Sequence, residues 1–236
     1  MDGTTRDALR RSLGTRARRW LLAGTVLAGL LTAVALVATA APADRTFVDL
    51  SGAVQSLMSV ATPLFGILLV RDPRRASASV VSTVPGVLLP AAVIGVSGAV
   101  VCAATLALSP ADGADDPWRH VGTVAVGGVL VQIVAGLVGT GLGLLLRSRV
   151  VAFLATIVLP LGLFGLLEAV DALRPAQPWL TPLGSVRHLL SGEMSVLRWA
   201  QWLCVLLIWG VGLNALGAAV RGRPEGDTDA PAGGGA

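Results

Sequence analysis

Four amide or ionisable side chains interrupt the long apolar stretches of this sequence: Gln55, Gln132, Glu168 and Asn214. An amide or carboxylate at membrane depth is costly and marks either a polar route or a contact between helices, so these four are the candidates for a polar pathway. For Glu168 the alternative is a solvated helix end. Too few titratable groups accompany them to form a proton relay. The two histidines, His120 and His188, stand in expected connections rather than in apolar runs. Gly95-Val96-Ser97-Gly98 holds a serine between glycines, as an exposed nucleophile would be, but the sequence puts no base within reach of it. Ser97 is expected to be a packing residue. Glu168 and Asp171 lie three apart on one helical face without a histidine motif, and Cys102 and Cys204 lie in separate apolar runs, so neither a metal site nor a catalytic centre is expected. Gly139-Thr140-Gly141-Leu142-Gly143 lacks the preceding strand and the lysine that a phosphate-binding loop requires. No enzyme activity and no cofactor are expected of this chain.

The elements that must carry these residues are membrane spans. Of 236 residues, 54% are hydrophobic and 14% charged, against roughly 25% charged in soluble domains, and the mean hydropathy is +0.76. Such a chain cannot clothe itself in polar surface, and lipid must cover much of it. Apolar runs extend from Trp20 to Ala41, Leu50 to Val70, Ala76 to Leu108, Val121 to Leu146, Val150 to Val170 and Trp202 to Val220. About 20 such residues cross a hydrocarbon core of about 30 Å, so the expected fold is all-α with six transmembrane helices. The run from Ala76 is too long for one span. Pro85 and Pro90 lack the backbone N–H a helix uses and are expected to break it, leaving Ala76 to Thr83 at the interface and the span from about Gly86. A basic segment, 1–19, precedes the six-span region at 20–220. A disordered tail, 221–236, rich in proline and glycine, is expected to follow.

Arginine sets the orientation, because basic connections are retained on the cytoplasmic side. With the N-terminus inside, that side holds Arg6, Arg10, Arg11, Arg16, Arg18, Arg19, Arg71, Arg74, Arg75, Arg147, Arg149, Arg221 and Arg223, whereas the other side keeps Arg45, Arg119, Arg174, Arg187 and Arg198. Both termini are expected in the cytoplasm. A rival reading takes Ala38-Thr39-Ala40 as a leader cleavage site, against which stands the length of the apolar run before it. Trp20, Trp118, Trp199 and Trp202 stand at run ends, where aromatic anchors belong. All basic residues are arginine, and alanine, glycine and valine abound, as in a GC-rich bacterial gene; a multi-pass protein of a bacterial cytoplasmic membrane is the expected setting. The sequence pI near 10.8 reflects clusters flanking spans rather than a nucleic-acid surface.

Two segments are distinctive. In the fourth run Gly128, Gln132, Gly136 and Thr140 recur every four residues, with Gly143 beyond them, which presents small side chains to a neighbouring helix. The connection from Asp171 to Arg198 carries Leu173, Trp179, Leu180, Leu183, Val186, Leu189 and Leu190 but is punctuated by Pro175, Pro178 and Pro182. A short amphipathic hairpin in or on the outer leaflet is expected there, the alternative being an apolar cap packed on the bundle.

Taken together, the six spans, the Gly139 to Arg149 stretch ending in the Arg147-Ser148-Arg149 turn, and the Leu180-Thr181-Pro182-Leu183 hairpin resemble the permease subunits of type-2 ABC exporters. The resemblance implies a dimeric permease, homo- or heteromeric, energised by a separate ATPase chain that would bind the ATP. It implies coupling to that ATPase through the second cytoplasmic connection. Here that connection is short, and Arg71, Arg74, Arg75, Arg147 and Arg149 are the candidates for the role. The alternative is a non-transporting accessory or resistance subunit of the membrane.

Overall fold

The computed structural model describes residues 15–72, 80–109 and 116–221. Among them every regular element is helical: α1 (Arg16–Thr39), a 3₁₀ turn (Pro42–Asp44), α2 (Phe47–Val70), α3 (Val80–Leu108), α4 (Val121–Leu145), α5 (Arg149–Ala169), a 3₁₀ segment (Asp171–Ala176), α6 (Gln177–Leu180), α7 (Pro182–Leu190), α8 (Val196–Val205), a π-helical stretch (Leu206–Gly212) and α9 (Leu213–Arg221). Six helices are long and apolar enough to cross a membrane, the last being the continuous Val196–Arg221 assembly. The protein is a multi-pass membrane protein. Arg74, Arg75 and the expected C-terminal tail beyond Arg221 lie outside the described residues, as do most of the expected basic segment and part of the Ala76 to Thr83 stretch.

Local sequence sets most helix starts. Thr15, Thr46, Ser148, Thr181 and Ser195 each accept a hydrogen bond from a backbone N–H in the first turn of the helix that follows, satisfying a donor that has no partner inside the helix. α4 and the short α6 are exceptions: His120, just before α4, is left-handed with φ 60° and gives no side-chain cap, and Ala176 before α6 gives none either.

Pro85 and Pro90 do not break the third span. α3 runs without interruption through both, as α2 runs through Pro63 and α5 through Pro160. Each proline forfeits one backbone hydrogen bond, which neighbouring helices tolerate inside a bundle, and Pro90 is itself buried. The break expected from composition is therefore absent, and the helix begins at Val80.

α4 is the central element and packs on α2, α3, α5, α7 and α9. α1 and α5 are peripheral, with 17% of their apolar windows buried, against 56% for α2. The core is formed by Phe47, Val54, Met58, Phe65, Ile94, Val124, Val131, Val138, Leu142, Leu189 and Val205. Trp20 is exposed, and Trp118 and Trp199 partly so, as anchors at span ends would be; Trp202 departs from that expectation, being 8% exposed and packed edge-on against Trp199 with centroids 5.8 Å apart.

Alternate ends of the spans form two faces. One carries Arg16, Arg18, Arg19, Arg71, Arg147, Arg149 and Arg221 with Asp72 and is called the basic end below. The other carries the α6–α7 hairpin. Residues Asp171 to Ser195 fold down on the bundle: Ser185, Leu189 and Leu190 of α7 are buried, the carbonyl of Leu189 lies where a Cβ on Gly127 would stand, 2.6 Å away, and Trp209 donates its indole N–H to Leu180 O at 2.8 Å. The connection is a cap packed on α4 and the sixth span.

Candidate functional site

The glycines of α4 let α2 approach closely, and that approach creates the polar centre of the protein. A Cβ on Gly139 would collide with the carbonyl of Pro63, one on Gly66 would stand 2.6 Å from Thr140 N, and one on Gly143 would stand 3.1 Å from the Ile67 Cα. Backbone meets backbone along this seam, as in small-residue interfaces generally. Gly136 faces differently: a Cβ there would meet Val87 of α3 at 3.0 Å, while its own carbonyl lies against Gly66 and accepts from Thr140 Oγ1 at 2.9 Å.

Two turns beyond the seam lie Gln55 and Gln132, 1% and 0% exposed. Gln132 Nε2 donates to both the backbone carbonyl and the side-chain Oε1 of Gln55, each at 2.9 Å. Gln132 Oε1 accepts from Thr62 Oγ1 at 2.6 Å, and Gln55 Nε2 donates to Gly95 O on α3 at 2.8 Å. The Gln55 side chain fits only because Gly98 and Gly128 flank it; a Cβ on either would come within 2.7 Å of its amide nitrogen. Three helices are thus tied by one amide cluster at membrane depth, with each partner satisfied by another.

The remaining polar candidates do not join this cluster. Asn214, 7% exposed, donates Nδ2 to Leu137 O at 2.9 Å and to Gly210 O at 2.6 Å, bonding α9 to α4 just after the π-helical stretch. Its Oδ1 is buried without a partner. Glu168 is exposed at the hairpin end, where it lies 3.5 Å from Arg174 and accepts from Gln177 Nε2 at 2.7 Å; Arg174 also pairs with Asp171 at 3.2 Å. That network fastens the end of α5 to the start of the hairpin.

At the basic end, arginines gather on the C-terminus of α4. Arg221 donates to Leu144 O and Gly143 O, both at 3.2 Å, and Arg71 donates to Arg147 O. These carbonyls include some that a helix leaves unsatisfied at its C-terminus, where cations are favoured. Burial, then the nearby charges of Arg221 and Arg149, hold the Arg71 guanidinium below its ordinary pKa. Beside them Arg18, 5% exposed, donates to Leu68 O at 3.0 Å and pairs with Asp72 at 3.2 Å, joining α1 to the end of α2. Arg147 and Arg149 themselves are exposed.

Thr62, Pro63 and Gly66 complete the α2 side of the centre, yet sequence alone does not single them out. The signal is present: Gln55, Thr62 and Gly66 are spaced seven and four apart, which puts them on one helical face. Among the described residues no group of three or more His, Cys, Asp or Glu side chains could hold a metal ion. No family model, curated protein or solved structure matches the chain.

Proposed function

We propose that the chain is the membrane subunit of an ATP-driven exporter, a permease that works as a dimer in a bacterial cytoplasmic membrane and is energised by a separate ATPase chain. In this reading the basic end faces the cytoplasm, as the positive-inside rule requires, and both termini lie there. The observation that carries it is the arginine clasp: Arg221 at the end of α9 holds the C-terminus of α4, and Arg71 at the end of α2 holds the carbonyl of Arg147 in the α4–α5 connection just beyond it. A push on the connection after Arg71 would then reach the central helix through the α4–α5 connection. α4 is bonded in turn to α2 and packed on α3 and the hairpin, so displacement of its end would move the bundle between two packings. The exposed Arg147 and Arg149 would offer charge to an acidic partner surface.

The closed amide cluster favours a second reading, a membrane subunit that does not transport, because Gln55, Gln132 and Thr62 spend their polar groups on one another. Purification of the tagged chain from its native cells in mild detergent separates the two. A copurifying ATPase at equal stoichiometry, with ATP hydrolysis that falls in the Arg74→Glu/Arg75→Glu variant, supports the exporter. Reproducible association with other membrane chains alone, and no hydrolysis, overturns it.

A further inference from the structure

The flank of the bundle between α2, α4 and α5 holds a groove of about 260 Å³, closed at the hairpin end by α7. Val134 of α4, Leu161 of α5 and Leu183 of α7 form its walls. Three hydroxyls also face it, but each is spent on its own helix: Ser56 donates to Gly52 O at 2.6 Å, Ser59 to Ser56 O at 2.7 Å and Thr156 to Phe153 O at 2.7 Å. What the groove presents is therefore hydrocarbon-like along its length. Thr156 to Phe164 spans about 12 Å of α5 at 1.5 Å per residue.

Both walls lead, about one turn further on, to the same pair. Phe164 follows Leu161 on α5, Arg187 follows Leu183 on α7, and the Arg187 guanidinium lies 5.7 Å from the Phe164 ring centroid. Arg174 pairs with Glu168 and Asp171 and Arg198 with Glu193, while Arg45 and Arg119 spend donors on Ala40 O and the His120 ring. Among the described residues no carboxylate lies within ion-pair distance of Arg187, which is exposed. An aromatic face fixes a guanidinium without consuming its N–H donors, so the rim of an apolar groove carries an oriented, unmatched cation with a fork geometry suited to phosphate.

We propose that this groove is a binding site for an anionic phospholipid, one acyl chain lying between α2, α4 and α5 beneath α7 and the phosphate headgroup resting on Arg187. The site is independent of the exporter reading, since it requires neither a partner ATPase nor transport. Native mass spectrometry of the purified full chain, titrated with phosphatidylglycerol or with phosphatidylcholine of the same acyl chains, tests it. One phosphatidylglycerol is expected to be retained about tenfold more tightly than phosphatidylcholine. Arg187→Gln, at an exposed position, is expected to abolish that preference by weakening phosphatidylglycerol much more than phosphatidylcholine, whose choline cation already offsets its phosphate charge. Ala135→Phe, or Leu183→Trp should the first fail to fold, fills the groove and is expected to remove both. Equal retention of the two lipids by the unaltered chain, an undiminished preference in Arg187→Gln, or full binding in a folded groove-filling variant would overturn the proposal.

Discussion

Gln132 of α4 gives its side-chain amide to both carbonyls of a single residue of α2, the backbone oxygen and the Oε1 of Gln55, at 2.9 Å each. Replacing one partner strands the other in a region without water. Gln132→Leu is expected to lower stability by about 1–2 kcal/mol, and the double-mutant cycle with Gln55→Leu to show a coupling of about 0.6–1.7 kcal/mol, the range for hydrogen bonds between transmembrane helices. Reversible unfolding in mixed micelles measures both. Additive effects would mean that the two amides do not act as a pair.

The seam between α2 and α4 gives a sharper contrast. A side chain at Gly139 meets the Pro63 backbone, which cannot give way, whereas one at Gly162 of α5 meets nothing within 4 Å. Gly139→Val is expected to cost about 1–3 kcal/mol by overpacking. Gly162→Ala is expected to be neutral or to stabilise by up to about 1 kcal/mol through helix propensity. Thermal midpoints of the two variants in the same detergent check the ordering.

Gly192 turns the chain between α7 and α8 at φ 76°, and a Cβ there would strike the side chain of His120, itself left-handed at φ 60°. Strain and collision act together at this position, because a positive φ penalises any L side chain. Gly192→Ala is expected to cost about 1–3 kcal/mol and to loosen the hairpin before the spans. Hydrogen exchange would show this as lost protection in 182–196 with protection in α2 and α4 retained.

His188 on α7 has its pKa lowered, first by burial and then by the charge of Arg198. A lowered pKa means that the unfolded chain takes up a proton more readily than the folded one, so stability is complete above about pH 6.5 and declines as pH falls below it towards the lowered value. His188→Gln is expected to flatten that decline. Thermal midpoints measured from pH 8 to pH 5 in parallel for both proteins test this, and parallel curves would assign the acid sensitivity elsewhere.

The spans were legible because hydropathy is a sum over some twenty residues and is insensitive to any one of them. Their ends were less so. The sixth span begins at Val196 rather than near Trp202, because Ser195 caps it and Arg198 reaches back to the Glu193 carbonyl, so the charged residue sits within the first helical turn. The continuity of α3 through Pro85 and Pro90 depends on the surroundings of the helix, to which a residue's own preference is blind. The four-residue spacing of Gly128, Gln132, Gly136 and Thr140 announced a contact face on α4, but its counterpart on α2 emerged only once the two helices were paired. The π-helical stretch from Leu206 to Gly212 left no compositional trace, although Trp209 within it bonds Leu180 O and Asn214 just after it bonds Leu137 O.

The amide cluster also bears on how the protein is made. Gln55 and Gln132 are 77 residues apart, and at about 5–20 residues per second of synthesis roughly 4–15 s pass between the emergence of one and the other. During that interval α3 can offer Gly95 O to the Gln55 amide nitrogen, but the Gln55 Oε1 that Gln132 will fill has not yet met its partner. That oxygen reaches its final partner only when α4 arrives. The order of assembly is thereby written into the chain: α1 to α3 form a provisional set, and the central helix, inserted fourth, locks them.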